Sequence, residues 1–134
     1  MMARTRNVNR SEYRNYLQRA GELINSMKLA YEAKEWNACV INDVQSAIAS
    51  ADALCVFTKG LRHAGDRHDD AIILFASIDT NDTEIRNNAE RLEKLLSIKT
   101  DAEYGEKLMK EKDDDNSILQ AERLFSFVKS RLPG

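Results

Sequence analysis

The segment from Trp36 to Thr58 constrains this chain most. Its apolar residues, among them Val40, Ile41, Val44, Ile48, Leu54 and Val56, fall on nearly every side of a helix. A helix that is apolar all round has to be central, with other helices packed about it. Ala47, Ser50 and Ala51 are small and let those neighbours approach closely. Gly60 is placed to end the helix, since glycine reaches positive φ without strain.

The flanking segments supply the helices that would surround it. From near Ser11, Tyr13, Leu17, Ala20, Ile24, Met27 and Tyr31 recur at alternating spacings of four and three, widened by Tyr16, Leu23 and Ala30. That is an amphipathic helix with one buried face, ending at the turn Lys34-Glu35. A short third helix is expected from Arg67 to Ile78, capped by Asp66, with Asp69 and Asp70 in its first turn where they suit the dipole. The cluster Asp79 to Asp82 reads as a turn. A fourth helix starts near Thr83 with the stripe Ile85, Ala89, Leu92 and Leu96, and extends through Tyr104, whose ring is expected to pack on the bundle. Lys110 to Asn116, including the run Asp113-Asp114-Asp115, reads as a charged connection and cap rather than a metal site. The last helix carries Ile118, Ala121, Phe125, Val128 and Leu132. Four long helices and one short helix with brief connections give an all-α, up-and-down helical bundle. The expected organisation is a flexible basic arm over residues 1–10 (Arg4, Arg6, Arg10) and one bundle domain over residues 11–134.

Size and composition narrow the function classes. With 134 residues the chain buries roughly 68% of its unfolded surface, enough to fold without metal or disulfide. A single proline and five glycines argue against an all-β fold. The net charge of -2 provides no global field for nucleic acid, so any such contact is local. No uninterrupted apolar run is long enough for a bilayer and no signal-peptide pattern opens the chain, so a cytoplasmic location and no membrane partner are expected. Cys39 and Cys55 lie about 24 Å apart along one helix, too far to bridge, and read as buried thiols. Trp36 reads as a packing anchor.

Chemistry concentrates between the second and third helices. Lys59-Gly-Leu-Arg-His-Ala-Gly-Asp-Arg-His68 holds both histidines of the protein, with Arg62 and Arg67 beside them. Histidine is the neutral-pH proton carrier, and arginine forks onto phosphate oxygens. His68, in the first turn of a helix, sits where free N–H groups attract anions. Such a set supports metal-independent RNA cleavage: imidazole takes the ribose 2′-OH proton while guanidinium steadies the charge on phosphate. The competing reading is a solvated loop whose cations pair with Asp66, Asp69 and Asp70. A metal held by His63, His68 and a nearby aspartate is a third. No cofactor is implied.

Three stretches together resemble the HEPN domain family (higher eukaryotes and prokaryotes nucleotide-binding). Ala30 to Asn42 is similar to the family's opening helix–turn–helix. Arg62-His63-x4-His68 is similar to its Arg-x(4–6)-His signature with a polar residue after the arginine. Lys99-Thr-Asp-Ala-Glu-Tyr104 resembles its late Arg/Lys-x-x-Ala-Asp-Tyr element. The resemblance implies a helical bundle that commonly forms a homodimer, with Arg and His of both chains facing one cleft. It implies either a metal-independent endoribonuclease, often a toxin encoded beside a nucleotidyltransferase-like antitoxin, or a non-catalytic module that binds a nucleotide or a protein. By position, Arg62 would stabilise phosphate, His68 would be the catalytic base or acid, and His63 would support them; Arg67 and Lys59 would contact substrate. Asp70 stands two places after the histidine, where toxins neutralised by tyrosine modification carry Tyr.

Overall fold

A computed structural model describes residues 3–65 and 67–134, and for His68 the backbone alone. Five helices follow in order: α1 (Tyr13–Glu32), α2 (Trp36–Lys59), α3 (His68–Ala76), α4 (Thr83–Tyr104) and α5 (Glu111–Arg131). Four are long and α3 is short, so the all-α bundle expected from the periodicities is the fold. The helix α2 is its axis and packs against each of the other four. Cys39, Val40, Val44, Ala47, Ala53 and Val56 are sealed in the core, as are Ser46 and Ser50. By length and apolar composition α2 qualifies as a membrane-spanning helix, but 72% of its apolar window is buried inside the bundle. The apolar surround of α2 is therefore answered by protein.

Local signals set the ends of the elements. Gly60 adopts φ 65° and stops α2, its N–H bonding back to the Val56 carbonyl. Asp82 caps α4 by accepting from the Glu84 and Ile85 N–H groups at 2.9 and 3.4 Å. Trp36 stacks edge-on against Tyr31, with ring centres 5.3 Å apart, and fixes the α1–α2 corner. The cysteines are unbridged and buried.

Three expectations are corrected. First, part of the arm thought to fray is ordered: Thr5–Asn7 forms β1, antiparallel to β2 (Leu61–His63), with Arg6 opposite Arg62. Backbone hydrogen bonds continue the ladder on both sides, from Val8 to Gly60 and from Ala64 to Arg4. Second, the charge run at 111–116 belongs to α5. Acids in a first turn favour a helix through its dipole, and Asp113 accepts from the Lys110 N–H at 2.8 Å. Third, Tyr104 is 82% exposed at the frayed end of α4. The proposed cap at Asp66 lies outside the described residues; the structure places Arg67 at the position before α3.

Candidate functional site

The segment that carries the chemistry is held from two sides. From below, Asp52 of α2 reaches it. This carboxylate is almost wholly buried, and it accepts from Arg62 Nε at 2.9 Å. His63 Nε2 lies 3.5 Å from the other Asp52 oxygen, too far for a hydrogen bond but close enough to feel the charge. Burial pushes the Asp52 carboxyl up from its ordinary range, against the opposing pull of Arg62 first and of His63 and Arg19 behind it. The Arg62 guanidinium also lies over the Tyr16 ring, 5.6 Å from its centre, and Arg19 lies 5.3 Å from the same centre. Among the described residues the Arg62 terminal amino groups make no hydrogen bond. Nε is spent on Asp52, and the side chain as a whole is about a quarter exposed.

From above, the N-terminal strand closes over the segment. Directly opposed residues of an antiparallel pair present their side chains on one face, so Arg6 and Arg62 share a side of the ladder. Like charges at such a position repel unless an anion or a carboxylate lies between them. The Arg4 N–H points at Asp70 Oδ1, 3.4 Å away. Gly65 lies so close to the other Asp70 oxygen that a Cβ there would push that carboxylate aside. Asp70 is buried and turned inward, and Asp69 is 3.5 Å from Arg67 Nη2 on the surface. Asp70 Oδ1 and Asp69 are thus both engaged by this chain's own groups.

The sequence-derived residues fall as follows. Arg62 and His63 converge on Asp52. Lys59 is half-buried in the last turn of α2, where a cation suits the dipole. Arg67 is exposed and leans towards Asp69. His68 opens α3, six residues after Arg62, and its side chain lies outside the described residues. Sequence reasoning missed Asp52, Tyr16, Arg19 and Arg6. The signal for Asp52 was present, as an isolated acid in a run of alanine, leucine and valine. Arg6 was read only as part of a basic arm that could touch RNA phosphate, because its place depends on a three-residue strand pairing across more than fifty positions.

Arg62 and His63 therefore lie on a two-stranded ladder braced by one buried carboxylate, and the match to a known family is nearly chain-long. The chain belongs to the HEPN domain family. The matched span is residues 13–131. HEPN is a helical family of nucleotide-binding and ribonuclease type, in agreement with the five-helix bundle. The match starts after β1, so the strand that brings Arg6 to the site lies ahead of the matched span. No curated protein matches the sequence.

Two other features bear on the site. The groove between α4 and α5, about 670 Å³, is lined by Glu84, Arg91, Glu122 and Arg123 among others, and by neither Arg62 nor His63. Its mixed charges give no preference for an anion. Among the described residues, metal-ligand spacing occurs in one group, Cys39, Asp43 and Asp114, far along α2 from His63.

Proposed function

We propose that this HEPN protein is a metal-independent endoribonuclease, acting in the cytoplasm as a homodimer. Arg62 is the phosphate-stabilising group and His68 the proton-transferring group. His63 orients Arg62 through their shared partner Asp52, while Arg67, Lys59 and Arg6 guide the backbone of the RNA. The observation that carries this reading is the anchoring of Arg62. A buried carboxylate fixes its Nε and leaves the terminal amino groups without a hydrogen bond among the described residues, six residues ahead of a histidine at a helix N-terminus. Fixing a charged group before substrate arrives is what electrostatic stabilisation of a phosphorane-like transition state requires.

In the proposed reaction a neutral imidazole removes the 2′-hydroxyl proton. The 2′-oxygen attacks the adjacent phosphorus, and the 5′-oxygen leaves as the bond to it breaks. The products are a 2′,3′-cyclic phosphate and a 5′-hydroxyl, with the leaving oxygen protonated by a second acid. In a dimer that acid is the imidazole of the other chain. A toxin role beside a nucleotidyltransferase-like antitoxin fits the same site, since a partner covering the ladder would silence it.

One observation favours a second reading, a non-catalytic nucleotide- or protein-binding module: Asp52 neutralises part of the charge that Arg62 would offer phosphate. The test separates the two. Structured RNA is incubated with the protein in EDTA, with helicity checked by circular dichroism in the same buffer. Cleavage is expected to fall by about 10²–10⁴-fold in His68→Ala and in Arg62→Ala. Cleavage unchanged in both variants overturns the assignment. Nucleotide binding without cleavage by the unaltered, folded protein establishes the module.

A further inference from the structure

The helix α2 carries a second buried acid whose surroundings differ from those of Asp52. Asp43 is fully sealed from solvent, and neither of its oxygens has a hydrogen-bond partner. Facing it from α5 is Asp114, equally sealed and with both oxygens equally unpartnered. Cys39, one turn before Asp43 on the same face of α2, completes the group, and it too is sealed. One ligand atom from each of the three lies within 4.8 Å of the others. Among the described residues no Lys, Arg or His pairs with either carboxylate. The charged neighbours that act on Asp43, namely Asp114 and Glu122, are acids themselves.

Four carboxylate oxygens with no N–H or O–H donor and no counter-charge, and with only the weak donor of the Cys39 thiol beside Asp114, are costly in a protein interior. Other buried polar groups nearby are satisfied: Ser46 donates to the Ala20 carbonyl at 2.9 Å and Ser117 to the Asp113 carbonyl at 2.9 Å. Single unpartnered atoms occur elsewhere, at Asp70 Oδ2 and Asn88 Oδ1 among others, but here two whole carboxylates and a thiol lie together.

We propose that Cys39, Asp43 and Asp114 form a binding site for a divalent transition metal of the zinc class, which ties the start of α5 to the start of α2. The donor set selects the metal. Calcium needs six to eight oxygens and magnesium an octahedral, largely hydrated shell, and neither suits a sealed pocket with one sulfur and four oxygens. Zinc and cobalt(II) take sulfur and oxygen at about 2.0–2.3 Å in a tetrahedron. One oxygen from each carboxylate and the sulfur give three positions, and a water admitted with the ion supplies the fourth, since the two oxygens of one carboxylate lie too close together to span two corners of a tetrahedron. The ligand atoms lie within 4.8 Å of one another and draw in by up to about an ångström to meet those bond lengths. Binding displaces the Cys39 proton, and any carboxyl proton, to solvent, and the +2 charge offsets two of the three negative charges on the ligand set. The site is sealed in the core between α2 and α5, which makes it structural. It lies apart from Arg62 and His63 and takes no part in RNA cleavage.

The experiment uses the full chain, stripped with chelator, dialysed and titrated with cobalt(II) alone and zinc(II) alone. One equivalent of cobalt is expected to bind and to give a thiolate-to-cobalt charge-transfer band in the near ultraviolet. Cys39→Ser is expected to lose that band, and Cys55→Ser, which alters the other buried thiol of α2, to keep it. Zinc at a hundredfold excess over its Kd is expected to raise the melting temperature by roughly 5–10 °C. Asp114→Asn abolishes that rise, and it provides a second variant if Cys39→Ser does not fold. The proposal is overturned if the unaltered protein shows neither the band nor a zinc-dependent melting temperature. The cluster is then a carboxyl pair sharing a proton, with the thiol donating to Asp114.

Discussion

Asp52 and Asp43 are buried acids of the same helix, nine residues or about two and a half turns apart, and so on nearly opposite faces of α2. Asp52 meets Arg62 at 2.9 Å and His63 at 3.5 Å, and its surroundings open onto a ladder of cations. Asp43 meets Asp114 and a thiol in a closed interior. The difference shows that burial alone says little about what an acid is for. What decides is the counter-charge: at Asp52 the chain supplies it, and at Asp43 the neighbours leave it to a proton or an external ion. One helix thus has a face where charge is organised towards solvent and another where charge is trapped.

The sharpest way to break this contrast is pH. In the metal-free protein, burial and then the charge of Asp114 push Asp43 from its ordinary 3.8 up to about 8, and burial pushes Asp114 up to about 6. Both groups hold their protons more tightly when folded than when unfolded. Stability from this pair is therefore complete below about pH 4 and is lost as pH climbs through about 6 and then about 8. Each unit within that window removes up to about 1.4 kcal/mol per titrating proton. Urea melts of the chelated protein at pH 5 and pH 8 are expected to show the loss, and zinc to cancel it by holding both groups deprotonated. Equal midpoints at the two pH values in the chelated protein would mean that the acids are not trapped as described.

Asp52→Asn tests the other face and has a smaller effect. It leaves Arg62 without its charged partner, with an expected cost of about 2–3 kcal/mol, since Arg62 is partly hydrated and recovers some solvation. RNA cleavage should fall further than stability accounts for, because the guanidinium is no longer held in place. A variant as stable as the parent and equally active would reduce Asp52 to a bystander. Arg6→Ala has the smallest effect: RNA binding should weaken evenly across sequences, and the slope of log affinity against log salt should drop by about 0.7–0.9. An unchanged slope would remove the N-terminal strand from the binding surface.

Most of the bundle was legible in the sequence. The alternating three–four stripes of α1 and α4 and the all-round apolar α2 each have one physical solution, and Gly60 and Asp82 ended and started helices where their chemistry directs. The start of α5 was not legible, because acids at a helix N-terminus look the same as acids in a loop until the dipole is in place. The pairing of β1 with β2 was hidden for another reason. Three residues of largely exposed strand carry no alternation, and their partner is fixed only by the closure of the whole fold. At the candidate site, Arg62 and His63 were singled out by residue type and spacing. Asp52 was missed although its oddity was visible, and Arg6 was missed because tertiary structure alone brings it near. The same blindness hid Asp43 and Asp114, which read as ordinary polar positions until two helices meet.

The strand β1 has a practical consequence for anyone handling this protein. Arg4 bonds through its backbone to Ala64 and Asp70, so the strand latches the residues that follow β2 to the first turn of α3. Removing the chain through Asn7 would undo that latch instead of shortening an idle tail.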